Sequence, residues 1–379
     1  MNIFHDDRIV LTLDAGGTNF VFSAMQRGQE IVPPITRPSQ AHDLDLCLKN
    51  ILEGFQAIKD QLPADPVAIS FSFPGPADYK NGVIGSLPNL PAFRNAGGVA
   101  LGPMLEDYFQ LPTFIANDGD LFTYGESIAG ILPRINGKLQ ERGVAKTYSN
   151  LLGVTLGTGF GGGVVVNGQL CQGDNSSGGE IWLTRNFRDT RLIAEEGACI
   201  RGLMRFYSDL TGAPTTLSPK EIYAVAQGQH EGNQTAALQA FDNMAAVIAE
   251  SLCNAITLID GIIVIGGGLS GAYPLLAPRI VSYMSGTIAM ADGTVLPRLV
   301  SKVYDLENPE SLEAFLDYSK NEVTVPFSGR KVHHNLDKRI AIGTTHVGTN
   351  TAIALGAYAI ALKNLSTNSE QNILLNRFI

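Results

Sequence analysis

Ile9-Val10-Leu11-Thr12-Leu13-Asp14-Ala15-Gly16-Gly17-Thr18-Asn19 runs straight into Phe20–Met25, and the fold turns on how this stretch is read. Two apolar, β-rich runs on either side of a glycine turn read as a hairpin. The second half of the chain opens in the same way. Leu151 to Leu156 reads as a strand, Gly157-Thr158-Gly159-Phe160-Gly161-Gly162-Gly163 as a loop, and Val164-Val165-Val166 as a strand closed by the Asn167-Gly168 turn. Strand, Gly/Thr turn, strand therefore occurs at Asp14 and again near Gly157, an internal duplication of design.

Glycine loops of this kind bind phosphate in several ways, and the context selects among them. Gly157, Gly159 and Gly162 satisfy Gly-x-Gly-x-x-Gly. That fingerprint requires a helix whose N-terminus meets the pyrophosphate, and here a strand and a hairpin turn follow. A P-loop run, Gly-x-x-x-x-Gly-Lys-Ser/Thr, does not occur in the chain. Two hairpins remain, whose glycine tips expose consecutive backbone amides that can wrap a polyphosphate. Asp14, beside the first tip, suits a Mg²⁺ held through water while the ion bridges phosphate oxygens. The competing role for Asp14 is to cap its own turn.

The chain has 379 residues, enough for two domains. With 45% apolar and 17% charged residues it is not a disordered polymer. A net charge of −9 argues against a partner held through nucleic-acid phosphates. Cys47, Cys171, Cys199 and Cys253 lie far apart and read as buried free thiols of a reducing compartment. No apolar run is long enough to span a bilayer and no secretory signal is evident, so a soluble, cytoplasmic protein without a membrane partner is expected.

Leu44, Leu48, Ile51, Leu52, Phe55 and Ile58 recur at helical spacing and predict a helix over 43–61. Val67–Phe73 and Thr113–Ala116 read as strands; the second ends at Asn117-Asp118-Gly119, with a helix from near Asp120. Further helices are expected at about 195–209, 236–258 and 351–365, and a strand at Gly261–Ile265 running into Gly266-Gly267-Gly268. Residues 131–150, with Arg134, Lys138, Arg142 and Lys146, read as a polar surface loop, and 283–345 show little periodicity.

Taken in order, Asp14-Ala-Gly-Gly-Thr18, Phe73-Pro-Gly-Pro-Ala-Asp78, Gly82-Val83, Pro88-Asn-Leu-Pro91, Asn117-Asp118 with Gly125-Glu126, Leu156-Gly-Thr-Gly-Phe-Gly-Gly-Gly163 and Ile265-Gly-Gly-Gly-Leu269 resemble the ROK family of sugar kinases and regulators. The likeness runs from residue 8 to about 360. It implies an α/β, duplicated actin-like (ribonuclease H-like) two-domain fold with an ATP/sugar cleft between the domains. Residues 1–118 plus about 351–379 would form the smaller domain and 119–350 the larger. Asp14, Gly16, Gly17, Thr18 and Asn19 would be the first phosphate loop, Gly157, Thr158, Gly159 and Gly161 the second, and Gly266, Gly267 and Gly268 the adenosine loop. Asp118 would be the general base, and Gly75, Asn89, Asn117, Glu180 and Glu195 would bind the sugar, with Glu196 as the alternative to Glu195. The resemblance further implies ATP and Mg²⁺ as cofactors, a hexose or amino-sugar substrate phosphorylated at its 6-hydroxyl, a homodimer, and domain closure on sugar binding.

Two departures from the family pattern stand out. Many members have His three residues after the Glu180 position, where this chain has Leu183. Many also have a cysteine-rich zinc loop where this chain has Asn186–Ile193 without cysteine, so no zinc site is expected. From residue type alone, Asn117, Asp118 and Asp120 are also good helix N-caps, and Glu195 and Glu196 suit an exposed first helical turn. The competing function is a catalytically inactive, sugar-sensing regulator without a DNA-binding domain; an actin-like filament protein would not need Asn117, Asp118 and Glu180.

Overall fold

Val10–Leu13 is buried without alternation, as a strand covered on both faces must be. In the computed structural model, which describes residues 2–16, 18–75, 77–85, 87, 91–94, 96–318 and 321–375 with side chains to residue 367, it forms the centre of the first of two units. The first unit comprises residues 1–128, 172–178 and 347–379; the second comprises 129–171 and 179–346.

The first unit opens with β1 (Val10–Ala15), β2 (Asn19–Gln26), β3 (Gln29–Glu30), β4 (Ile35–Pro38), α1 (Leu44–Lys59) and β5 (Ala68–Ser72). It continues through β6 (Ala77–Asp78), β7 (Val83–Ile84), β8 (Val99–Ala100), α2 (Leu101–Phe109), β9 (Thr113–Ala116) and α3 (Asp118–Ala129). The main sheet runs β3-β2-β1-β5-β9, with β4 paired to β2. The predicted hairpin is present, β2 antiparallel to β1 with Asp14 opposite Val21, while β1, β5 and β9 are parallel. Phe55 of α1 packs in the core against Phe22 and Phe71 of the sheet, edge-to-face with Phe22 at 5.1 Å. Asp43 caps α1 by accepting from the Leu46 amide, which fixes the start that the apolar spacing predicted.

The second unit contains α4 (Ile131–Glu141), β10 (Leu151–Leu156), β11 (Phe160–Val166), β12 (Gln169–Leu170), α5 (Glu195–Ala198), α6 (Ile200–Thr211), α7 (Pro219–Ala226) and α8 (Gln234–Ile259). Then come β13 (Ile262–Gly266), α9 (Tyr273–Met284), β14 (Thr287–Ala289), β15 (Val295–Pro297), β16 (Lys302–Asp305), α10 (Pro309–Leu316), β17 (Asn321–Thr324), β18 (Lys331–His334) and β19 (Arg339–Thr344). Its sheet runs β12-β11-β10-β13-β19-β16. Hairpin β10–β11 followed by parallel β13 and β19 repeats hairpin β1–β2 followed by parallel β5 and β9. The duplication seen in the two glycine hairpins is thus a duplication of sheet topology. The chain ends in the first unit with α11 (Thr349–Leu375), where the Ser70 hydroxyl donates to the Ala357 carbonyl at 2.7 Å. α3 and α11 touch backbone to backbone: a Cβ on Gly125 would overlap the Ala352 carbonyl, and one on Gly356 the Leu121 carbonyl.

Four expectations are corrected. Residues 131–141 form a helix rather than a polar loop, because Ile131, Leu132, Ile135 and Leu139 make one buried stripe while Arg134 and Arg142 reach Glu307 and Glu313. The helix at 195–209 breaks at Cys199, whose extended backbone separates α5 from α6. α3 begins at Asp118, two residues before Asp120, because Asn117 Oδ1 accepts from the Gly119 amide at 2.8 Å. Cys171 is exposed, whereas Cys47, Cys199 and Cys253 are buried free thiols. Among the described residues no helix is long and apolar enough to cross a membrane.

Candidate active site

In the first unit Asp14 is opposite Ser72 on β5, and Ser72 is opposite Ala116 on β9. Three parallel strands therefore end level, and ligands of open α/β sheets gather outside such carboxyl ends. Asp14 sits on this edge and Asp118 lies two residues beyond it, at the start of α3. Asn117 Oδ1 and Asp118 Oδ1 share the Gly119 amide at 2.8 and 2.9 Å, so both neighbouring side chains take part in capping the start of α3.

Asp118 keeps solvent access, yet the protein atoms crowding it push its carboxyl above the ordinary range; the Gly119 hydrogen bond opposes this only in part. Asp14 is also raised, first by desolvation and then by the negative charge of Asp118. No cation contributes to either shift. Two crowded carboxylates on exposed residues, with no cation to balance them, fit a Mg²⁺ bound through water at Asp14, for which one carboxylate plus phosphate oxygens suffices. Among the described residues no group of three or more His, Cys, Asp or Glu could hold a metal by itself.

The rest of the first loop lies on the β1–β2 turn. Gly16 is there because a Cβ would lie 2.8 Å from the Asn19 carbonyl, and the Thr18 carbonyl accepts from the Ser39 amide at 2.9 Å. Asn19 opens β2. Gly17 and Asn89 lie outside the described residues. Gly75 follows β5 under the Tyr79 hydroxyl, which donates to the Phe73 carbonyl at 3.0 Å.

In the second unit the two remaining glycine loops are neighbours at the carboxyl ends of β10 and β13, where Thr155 is opposite Gly266. Gly267 has φ 85° and a Cβ there would overlap the Leu156 carbonyl; beside it a Cβ on Gly157 would lie 3.9 Å from the Gly268 amide. The Gly157 amide donates to the Gly159 carbonyl at 3.0 Å, closing the tip. A Cβ on Gly161 would meet Thr155 Oγ1 at 2.5 Å. Glu180, half-buried, takes the indole N–H of Trp182 on its Oε2, while Leu183 turns outward and is 55% exposed. Glu195 lies against the loop, accepting from the Phe160 amide at 3.0 Å, and pairs with Arg201 at 2.6 Å. Glu196 also pairs with Arg201, at 2.8 Å.

Unit by unit, the structure brings Asp14, Asn117 and Asp118 to one sheet edge, and Gly157–Gly161, Gly266–Gly268 and Glu195 to another. Trp182 and Arg201 were not among the sequence-derived candidates. Arg201 follows Glu195 by six residues and Glu196 by five, which is not a helical pairing distance, and the contacts exist only because the helix breaks at Cys199.

The ROK family model matches residues 10–300. The chain is similar to a glucokinase from Thermotoga maritima, 26% identical over 300 residues covering 73% of this chain and 88% of that protein. An N-acetyl-D-glucosamine kinase from Photobacterium profundum is 27% identical over 72% of this chain and 88% of its own length. The crystal structure of a glucokinase from Parabacteroides distasonis superposes with a TM-score of 0.86 at 50% identity, covering 96% of this chain and 99% of that one. A hexokinase from Thermus thermophilus has the same fold, with a TM-score of 0.65 at 18% identity over 94% and 99% of the two chains.

Proposed function

The chain belongs to the ROK family, has its duplicated actin-like α/β fold and is an ATP-dependent sugar kinase; on that footing we propose that it transfers the γ-phosphoryl group of ATP to the 6-hydroxyl of a hexose, with Asp118 as general base. The observation that carries this reading is the raised, solvent-accessible carboxyl of Asp118 just past the level ends of β1, β5 and β9. A base works best when its pKa approaches the operating pH, and the protein atoms crowding Asp118 move it in that direction.

Asp118 takes the proton of the 6-hydroxyl as its oxygen bonds to the γ-phosphorus. The bond to the β,γ-bridging oxygen breaks and the electron pair leaves on ADP. Phosphoryl transfer asks the protein mainly for position and charge stabilisation. The tips at Gly16–Asn19 and Gly157–Gly161 would hold phosphate oxygens, the second through amides other than those of Gly157 and Phe160, which are already bonded, and Gly266–Gly268 the adenosine. Mg²⁺, held at Asp14 through water, would supply charge neutralisation on the phosphates. Glu180, Glu195 and Asn117 would hold ring hydroxyls, with Gly75 and Asn89 beside them.

A glucose-type hexose is the first expectation and an N-acetylated hexosamine or fructose the next. Relatives named glucokinase and N-acetyl-D-glucosamine kinase support both ends of that range. Leu183 supports it too, since its exposed apolar surface suits a sugar ring face or an acetyl methyl. Cytoplasmic location and a homodimer belong to the same proposal. A coupled ADP-release screen over hexoses and amino sugars tests it; no sugar-dependent ADP release from any of them would reject it.

A further inference from the structure

The tip at Gly157–Phe160 is fastened from outside by the elbow between α5 and α6. The Ile200 amide donates to the Gly157 carbonyl at 2.9 Å. Arg201 Nη1 donates to the Thr158 carbonyl at 3.3 Å, and its Nη2 reaches Glu195 Oε1 at 2.6 Å and Glu196 Oε1 at 2.8 Å. Glu195 Oε2 in turn accepts from the Phe160 amide at 3.0 Å and lies where a Cβ on Gly159 would meet it at 2.7 Å. Every peptide of the tip is thus tied to the elbow, directly or through one carboxylate.

These ties differ from those of a merely tight hairpin. A phosphate loop needs its amides aimed before the anion arrives, because a loop that must order itself spends binding energy on doing so. Thr158 carries its peptide carbonyl to Arg201, which fixes that oxygen on the side of the elbow. Glu195 occupies the Phe160 amide, so a second acceptor there is excluded. Arg201 joins both ties through one planar guanidinium, whose fixed fork can serve a carbonyl and two carboxylates at once.

We propose that Arg201 is a positioning residue for nucleotide binding: it holds the Gly157–Phe160 tip in its phosphate-accepting shape through the Thr158 carbonyl and through Glu195. The inference rests on the reading of this tip as a phosphate loop. Arg201 is half exposed and contributes to no core, so its removal leaves the fold intact.

Charge is the competing explanation. Glu195, Glu196, Arg201 and Arg205 form a balanced cluster, with Arg205 3.7 Å from Glu196, so deleting Arg201 leaves a net negative charge near the phosphates. The double variant Arg201→Ala with Glu196→Gln restores the balance without restoring the fork.

The test is calorimetric binding of Mg·ADP to the full chain without sugar, with hydrogen exchange of the 157–161 amides read in parallel. Arg201→Ala is expected to weaken Mg·ADP about tenfold and to speed exchange in the tip alone, the usual consequence of loosening a preorganised site. Arg201→Lys, with a single ammonium, is expected between the two, and the charge-balanced double variant to stay weak. Free guanidinium is expected to restore part of the loss in Arg201→Ala. Mg·ADP affinity in Arg201→Ala within twofold of wild type would overturn the inference, as would full recovery in the double variant. If wild type itself does not bind Mg·ADP, the phosphate-loop reading fails and the inference falls with it.

Discussion

Asp14 lies near the end of β1 and Asp118 two residues past the end of β9, the two strands that flank β5, and after desolvation it is the charge of Asp118 that raises the Asp14 carboxyl. One acid sits beside the first glycine tip and the other opens a helix, so the two carboxylates share an edge from different elements. Each can be removed without touching the other's backbone.

Replacing Asp118 by Asn keeps the size and removes the base. The expected result is a fall in kcat of roughly 10²–10⁴ with Mg·ADP affinity nearly unchanged, the range for loss of a positioned proton acceptor. Steady-state kinetics with calorimetry checks both halves; a kcat near wild type would remove Asp118 from the chemistry.

The same substitution changes stability with pH. A carboxyl whose folded pKa lies above its unfolded value binds its proton more tightly when folded. Folding therefore loses stability as pH rises from the ordinary carboxylate range through the raised value, and that cost is larger at neutral pH than in acid. Asp118→Asn should raise the melting temperature at pH 7, with the gain shrinking toward zero below the ordinary carboxylate range. Melting curves at acid and neutral pH decide it, and a gain that is equal at both would refute the assigned cause.

Gly267 has φ 85° and no room for a methyl group beneath the Leu156 carbonyl. Gly267→Ala should cost about 1–3 kcal/mol through backbone strain. Because the strain falls on the proposed adenosine loop, KM for ATP should rise more than KM for sugar. Equal changes in the two would detach this loop from the nucleotide.

Gly125→Ala drives a methyl group into the Ala352 carbonyl where α3 crosses α11. The crossing must open, at a cost of about 1–3 kcal/mol or more by the usual price of overpacking. Denaturant melts would report it, and an unchanged midpoint would mean that the helices slide apart freely.

Leu183→His supplies a donor and acceptor where this chain has exposed apolar surface. Selectivity between glucose-type and N-acetylated sugars should shift by about 1–3 kcal/mol in kcat/KM. An unchanged ranking of all accepted sugars would mean that position 183 does not face the sugar.

The parts of the fold legible in sequence are those whose signal is local. Val10–Leu13, Leu151–Leu156 and Ile262–Ile265 are short, mostly apolar runs with glycine at or within three residues of their ends, and each lies in an interior strand. α4 was hidden because Pro133 and Gly137 interrupt its stripe and charges fill the rest. Hairpin β14–β15 could not be read because its six strand residues are exposed on both faces, leaving no burial pattern to find. At the candidate site, Asp14, Asn117 and Asp118 were readable at strand ends, whereas Arg201 acts across a broken helix and Trp182 through a side-chain bond, neither of which leaves a periodic trace.

Trp182 is the only tryptophan of the chain, and its indole N–H is spent on Glu180. Indole emission from this protein therefore has one source, wired to a glutamate proposed to hold sugar. Any molecule that competes for that carboxylate alters the hydrogen bond of the chromophore itself. On the proposed role of Glu180, the chain would carry an unlabelled optical gauge of its own occupancy, readable without coupling enzymes, without turnover and in the absence of nucleotide.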